Sequence, residues 1–296
     1  MILLQEFIQE LQKQIYEVFP EEEYELSREI VNKVQETYEG INIQRKGEDK
    51  SICVDLQHCY QMYLNNVPIS KIVDIIINSF HEKDKYGNME WLSDYSKVKN
   101  RLFLRVNHYD PVNPKLKQVP YQLMEDIIMT YHVLIDEEKH GTCSCVVTNE
   151  MLESYNISLK IFEQDAIKSA IRLFPVLIDD FCDQKDPFFK ILTNTKYHNG
   201  AATLFYPGIF QEIEKLGQGN FIIIPSSIHE VYIVKDTIDR KFNEINTMIR
   251  DCNQKYCKPE EVLSDHGYYY DREYGKLESF QNYLKRKELK NICYNI

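Results

Sequence analysis

Along residues 4 to 18, Leu4, Phe7, Leu11, Ile15 and Val18 recur at helical spacing between Glu and Gln residues, and Pro20 closes the run. This pattern predicts an amphipathic opening helix, followed by an acidic loop. Ile41 to Arg45 and Ser51 to Leu56 then flank Lys46-Gly47-Glu48-Asp49-Lys50, a turn-rich insert with the composition of a hairpin. Behind Pro68, the residues Ile69, Ile72, Val73, Ile76 and Phe80 form one helical stripe.

The same order recurs twice. Ile127 to Ile135 and Thr142 to Val147 flank Asp136-Glu137-Glu138-Lys139-His140-Gly141, and Leu159, Phe162, Ala166, Ala170 and Leu173 mark a helix over 159–173. Phe221 to Ile224 and Val231 to Lys235 surround the Pro225-Ser226-Ser227 turn, and Ile238, Phe242, Ile245 and Ile249 mark the helix after them. Strands are also predicted over Arg101–Asn107 and Phe188–Thr193, with Tyr109 to Pro120 as the longest irregular connection. Hairpins imply antiparallel pairing, and each apolar helical stripe needs a sheet face to cover. The fold class is therefore α+β, with antiparallel or mixed sheets built from recurring β-hairpin-then-helix units. The polar stretch Lys83 to Ser96, containing Gly87, is the predicted boundary. It separates an N-terminal lobe over 1–95 from an α+β core lobe over 96–275, with a C-terminal helical tail over 276–296.

Composition narrows the function classes. The 296 residues are 43% hydrophobic, with only ten Gly and ten Pro, enough to fill a core and without a linker-like tract. Forty-six acidic against 35 basic residues give a net charge of −11 with the cations scattered, which disfavours nucleic-acid binding. Lys285-Arg286-Lys287 with Lys290 is the nearest approach to a basic patch and reads as an exposed helix face. The start, Met1-Ile2-Leu3-Leu4-Gln5-Glu6, lacks signal-peptide features, and no apolar run approaches the roughly 18 residues that span a bilayer. A cytoplasmic protein without membrane association is predicted. The eight cysteines, Cys182 among them, read as reduced core thiols, and neither a metal site nor a cofactor is implied.

The chemistry-bearing residues gather between Asn194 and Lys235. Pro225-Ser226-Ser227-Ile228-His229-Glu230 offers two hydroxyls, an imidazole and a carboxylate, but without a nucleophile elbow it reads first as a turn whose Ser hydroxyls bond backbone amides. In that turn, Ile228, Val231 and Ile233 point to the core. Asn194, Asn199 and Gly200 precede a helix beginning Ala201-Ala202, whose free amides suit an anion, while Asn199 reads as its cap. His132 and His140 are expected beside an exposed turn, and Tyr268-Tyr269-Tyr270 at a sheet edge. His229 and Glu230 cannot chelate one metal from a strand, because adjacent side chains point to opposite faces.

Several of these stretches together resemble one known family. They are Cys53-Val54-Asp55-Leu56; Val147-Thr148-Asn149-Glu150-Met151-Leu152 before the helix ending Leu173-Phe174-Pro175; Leu192-Thr193-Asn194 with Gly200-Ala201-Ala202; Pro225 to Glu230; and the closing Val262-Leu263-Ser264-Asp265 and Tyr270-Asp271-Arg272. The resemblance is to the bacterial domain of unknown function 5688 family, over roughly residues 5 to 275, and more distantly to the YtpQ family. It implies no assigned activity and is compatible with an accessory role on a phage or other mobile element, such as inhibition of a host defence enzyme.

Two functional readings follow. The first is a non-enzymatic interaction module that binds a protein partner or a second copy, motivated by 21 Tyr and 14 Phe residues and the lack of a catalytic spacing. The second is an enzyme handling a small molecule or nucleotide, with candidate binding residues Asn194, Asn199, Gly200, Ser226, Ser227, His229 and Glu230. If the turn hydroxyl bonds a backbone amide, Ser227→Ala lowers stability by about 1 kcal/mol. Thermal melts of both forms check this, and an unchanged melt would show that the hydroxyl does not support the turn.

Overall fold

The computed structural model describes residues 2–34, 37–48, 51–82, 89–138, 141–180, 189–236 and 241–293. His140, Cys182 and residues 83–88 of the predicted boundary lie outside them. The chain forms two compact units, Met1–Met89 and Glu90–Ile296. All strand pairs among the described residues are antiparallel, and the architecture is α+β. No described helix is long and apolar enough to cross a membrane.

The first unit runs α1 (Leu4–Val18), β1 (Tyr24–Asn32), β2 (Thr37–Arg45), β3 (Ser51–Asp55), α2 (Leu56–Leu64) and α3 (Ile69–Glu82), with sheet order β1-β2-β3. Helix α1 buries Phe7, Leu11 and Ile15 of the predicted stripe, together with Ile8, against Ile41 and Ile43 of β2 and Ile72, Ile76 and Phe80 of α3, while Val18 at its end stays exposed. Asp55 starts α2 by accepting the His58 amide at 2.9 Å. The expected acidic loop after α1 is instead largely strand β1. Most of β1's side chains face water, so its sequence lacks an apolar signal, and the full-length ladder to β2 holds it in place.

The second unit contains α4 (Tyr95–Val98), β4 (Leu102–His108), β5 (Tyr121–Met124), β6 (Ile127–Glu138), β7 (Gly141–Val146), α5 (Asn149–Tyr155), α6 (Leu159–Leu173), β8 (Val176–Asp180) and β9 (Phe189–Asn194). It continues with a 3-10 turn over Gly200–Phe205, then α7 (Ile209–Gly217), β10 (Phe221–Pro225), β11 (Val231–Lys235), α8 (Phe242–Tyr256), β12 (Tyr268–Asp271), β13 (Lys276–Ser279) and α9 (Phe280–Cys293). In the four-stranded sheet, β6 pairs with β4 on one side and with β5 and then β7 on the other. The six-stranded sheet has the order β13-β12-β10-β11-β9-β8. The three predicted hairpins form as β2–β3, β6–β7 and β10–β11, and the predicted helices α3, α6 and α8 follow them, with the unpredicted short helices α2 and α5 inserted after the first two hairpins. Thr148 and Ser158 accept the Met151 and Ile161 amides and so start α5 and α6.

Alternation along β4 decides what each face meets. Leu102, Leu104 and Val106, paired with Val133, Tyr131 and Met129 of β6, belong to a core shared with Phe162, Ala166 and Ala170 of α6. Phe103, Arg105 and Asn107 point the other way, beside His132, Thr130 and Ile128. His132 is therefore a buried mid-strand residue, 4% exposed, and not the exposed turn residue expected: β6 continues six residues beyond it.

Tyr268, Tyr269 and Tyr270 also depart from expectation. Strand β12 lies between β13 and β10, and both its faces are covered. Tyr268 and Tyr270 join the core with Phe221, while Tyr269 packs with Phe242 of α8 and with Phe280 and Tyr283 of α9. Arg286, read as part of an exposed basic face, is mostly buried. Its guanidinium bonds Glu278 at 2.6–3.0 Å and Asp271 at 2.9 Å, and it lies over the Tyr274 ring. Removing the cation leaves two buried carboxylates facing each other with only the partly exposed Lys287 nearby. Arg286→Ala is expected to cost about 3 kcal/mol, measured by urea denaturation, with Arg286→Lys intermediate; a loss near zero would show that α9 is not anchored by this network.

Candidate functional site

Two segments meet where β9 ends: the loop Asn194–Gly200 and the turn Ser226–Glu230 between β10 and β11. Asn194 shapes the loop locally, its Nδ2 donating to the His198 carbonyl at 2.7 Å and its Oδ1 accepting the Lys196 amide at 2.9 Å. The loop is then tied to the turn by three bonds. Thr193 Oγ1 donates to the His229 carbonyl at 2.8 Å, the Ala201 amide to the Ile228 carbonyl at 3.2 Å, and the Asn199 amide to His229 Nδ1 at 3.1 Å. A Cβ on Gly200 would lie 2.0 Å from Thr193 Oγ1 and 2.4 Å from the His229 carbonyl, so only glycine permits this approach.

The amides after Gly200 that sequence reasoning offered to an anion are therefore engaged within the chain: Ala201 bonds Ile228, and Ala202 bonds Asn199. Asn199 precedes the 3-10 turn in a left-handed conformation, φ 53°, but its side chain makes no cap. Its Oδ1 instead accepts from Arg105 Nε at 3.3 Å.

Because His229 Nδ1 accepts a backbone N–H, the neutral ring carries its proton on Nε2. That nitrogen faces Glu261 Oε1 at 3.8 Å. Burial lowers the His229 pKa, opposed by Glu261 and assisted by Arg105 and Lys258. The ring also lies 5.1 Å from that of His198, whose pKa is lowered to about 4 by burial first and then by His229 and Arg105. Both imidazoles are neutral at pH near 7.

The remaining predicted residues lie along the turn. Ser227 Oγ accepts the His229 amide at 3.0 Å, the local bond expected of it, and Ile228, Val231 and Ile233 are buried in the core. Ser226 Oγ lies 3.4 Å from the Tyr232 hydroxyl, which donates to Glu230 Oε1 at 3.1 Å. Ser226 and Ser227 border a cleft of about 450 Å³ against α8, walled by Phe189, Ile224, Tyr232 and Ile249 and bounded by Cys252, Tyr256, Cys257 and Glu261. The structure thus brings Asn194, Asn199, Gly200 and His229 together and leaves Ser226 and Ser227 on the cleft, with Glu261 touching both groups.

Sequence reasoning missed Arg105, Glu261 and a second polar cluster. Arg105 had a visible signal, a cation inside the apolar run Leu102-Phe103-Leu104-Arg105-Val106. Glu261 and the cluster around Asp126 had none, because their partners are distant in sequence. Asp126, in the turn between β5 and β6, accepts from the Ser264 hydroxyl at 2.9 Å and from the Tyr268 hydroxyl. It also lies 3.4 Å from His108 Nδ1 and 3.2 Å from His266 Nε2. Among the described residues no group of three His, Cys, Asp or Glu side chains is placed to hold a metal.

The fold and site define an α+β protein of antiparallel sheets with a cleft at the β10–β11 turn. The sequence profile of DUF5688, a family of unknown function, matches residues 4–185 and 179–272, and the chain belongs to this family. No curated protein and no solved structure matches it.

The Asp126 cluster gives stability a defined pH dependence. Burial alone would raise the Asp126 pKa, but hydrogen bonds from His108, His266 and Tyr268 hold it well below the usual carboxylate range. Its hydrogen bond raises the pKa of His108; His266 is also raised, Asp126 outweighing an opposing burial effect. The histidine contribution is fully present below about pH 6.5 and is lost as pH rises through the raised values, whereas the Asp126 contribution is lost only in strong acid. Urea denaturation is expected to show the wild type losing more stability than His266→Gln between about pH 5.5 and pH 8. Parallel losses would rule out this linkage.

Proposed function

We propose that the protein binds a small organic molecule in the cleft beside the Pro225–Glu230 turn, as a recognition module and not as a covalent catalyst. The observation that carries this reading is the cleft itself. Its volume of about 450 Å³ suits a compact ligand, its walls are aromatic and aliphatic, and Ser226, Ser227 and Glu261 add polar groups to its lining. Of these, Glu261 accepts from Lys258 Nζ at 3.1 Å and faces His229 Nε2 at 3.8 Å, and it offers a carboxylate to a cationic or hydrogen-bond-donating head group.

The nucleophile inventory supports binding over covalent chemistry. The Cys257 thiol donates to the Ser226 carbonyl at 3.3 Å, and burial raises its pKa, so it stays protonated. Ser227 Oγ is engaged by the His229 amide, and the His229 ring faces Glu261 and the Asn199 amide. The alternative of a protein-interaction module draws on the tyrosine content, yet Tyr131, Tyr155, Tyr206, Tyr268, Tyr269, Tyr270 and Tyr283 are core residues, and Tyr197 and Tyr256 are the most exposed tyrosines among the described residues.

The test is a thermal-shift screen of compounds with apolar bodies and amine heads on the full chain, repeated with Cys252→Trp, which fills the cleft from an exposed position, and with Glu261→Gln. Binding compounds are expected to raise the melting temperature of the wild type, to lose their effect in Cys252→Trp, and to bind about tenfold more weakly to Glu261→Gln. Equal shifts in wild type and Cys252→Trp would sink the proposal. A protein partner captured equally well by both forms, with no compound bound, would favour the interaction reading instead.

A further inference from the structure

The face of β4 turned away from α6 carries a cation that the described chain does not neutralise. Arg105 lies between buried Leu104 and Val106, and burial lowers its pKa. Its single hydrogen bond runs from Nε to Asn199 Oδ1, and among the described residues no carboxylate forms an ion pair with it. A guanidinium loses hydration on folding, which an anion or a full set of acceptors compensates; Arg105 is half-buried, and its two terminal nitrogens make no bond within the described chain and stay open to solvent, where a ligand can reach them. One neutral acceptor at 3.3 Å does not complete that set, and a neutral donor would have served Asn199 equally well.

The other side of this contact is also incomplete. Nε can only donate, which fixes the orientation of the Asn199 amide: Oδ1 toward Arg105, and Nδ2 with a donor to spare. Asn199 is 2% exposed, and Nδ2 is buried without a partner. Since Oδ1 and Nδ2 share one carbon, this orphan donor lies beside the guanidinium. The same strand-pair face holds two further unpartnered buried atoms, Asn107 Oδ1 and His132 Nδ1, while Thr130 Oγ1 lies 3.1 Å from His132 Nε2.

The imidazoles near Arg105 supply no negative charge. Burial, followed by Arg105 itself, holds buried His132 neutral, and His198 and His229 are likewise depressed. Arg105 lowers the pKa of all three imidazoles, Glu261 opposing it at His198 and His229, and the unmet groups on Arg105 and Asn199 are donors. The charge that would complete them has to come from outside the described chain.

We propose that Arg105 and Asn199 bind a small oxyanion, the phosphate or carboxylate group of a soluble ligand, distinct from whatever occupies the cleft at the β10–β11 turn. The guanidinium supplies charge and two terminal nitrogens in a planar fork, and Asn199 Nδ2 supplies the adjacent donor. Gly200 serves this site indirectly by letting the loop approach β9 closely enough to present Asn199.

The experiment is calorimetric titration of the full chain with inorganic phosphate and, separately, with acetate, against chloride at matched ionic strength. Saturable binding of either oxyanion is expected, the phosphate and acetate arms distinguishing a phosphoryl from a carboxylate ligand. Arg105→Gln is expected to weaken binding at least about tenfold. Asn199→Asp, which keeps a residue tolerant of the left-handed backbone and places a carboxylate against Arg105, is expected to abolish oxyanion binding and raise the melting temperature in chloride alone. It decides the matter even if Arg105→Gln fails to fold. Cys252→Trp is expected to bind the oxyanion like the wild type. No saturable response in the wild type, an equal response to chloride, unweakened binding in Asn199→Asp, or loss of binding in Cys252→Trp would each overturn the assignment.

Discussion

The close approach at Gly200 is the contact on which the rest of the site depends. A Cβ there would collide with Thr193 Oγ1 and with the His229 carbonyl, so its absence lets the loop after β9 lie directly on the β10–β11 turn. Once the loop is seated, Asn199 is driven into the left-handed region, its amide reaches His229 Nδ1, and its side chain reaches Arg105. The amide bond dictates the His229 tautomer, which turns Nε2–H toward Glu261. One backbone contact therefore sets both the side of His229 that faces Glu261 and the donor pair formed by Arg105 of β4 and Asn199 of the loop.

The second unit handles buried charge in two different ways. Where α9 meets β12 and β13, Arg286 is matched by Asp271 and Glu278, with Lys287 alongside, and the charges are compensated within the chain. On β4, the other cation is left with one amide oxygen. Both are half-buried arginines that lose hydration on folding; the first regains charge compensation from two carboxylates, although its Nη1 is buried without a partner, and the second meets no carboxylate among the described residues. That difference, more than the presence of a buried arginine, separates a structural anchor from a binding group.

Tyrosine content has a structural explanation of the same kind. Tyr155 donates to the Leu92 carbonyl, Tyr206 to the Phe174 carbonyl, Tyr131 to Glu163, Tyr268 to Asp126 and Tyr269 to Asp236. Each buries a ring and satisfies its hydroxyl against a distant segment, which Phe could not do. Burial pushes the Tyr155 phenol up to about 12 and raises Tyr206 and Tyr268 as well, so these hydroxyls remain donors. Tyr268 and Ser264 converge on Asp126 across more than a hundred residues, joining the β5–β6 turn to the segment entering the six-stranded sheet.

What the sequence determined by itself was local. The stripes of α1, α3 and α6 and the hairpins β2–β3, β6–β7 and β10–β11 were legible because an element's own periodicity reports which of its faces leaves water. The Ser227 bond to the His229 amide was legible for the same reason, since both partners lie within one turn. Strand β1 was not, because its exposed residues carry no apolar period and its partner supplies the ladder. Nor was the burial of Tyr269, which requires α8 and α9 to cover a face that β12 alone leaves open. The meeting of Asn199 with Arg105, 94 residues apart, and of His229 with Glu261 was decided only by the tertiary structure. Spacing along a chain fixes the direction of a side chain relative to its own element, whereas the distance between two such side chains depends on strand order and register, which are properties of the whole sheet.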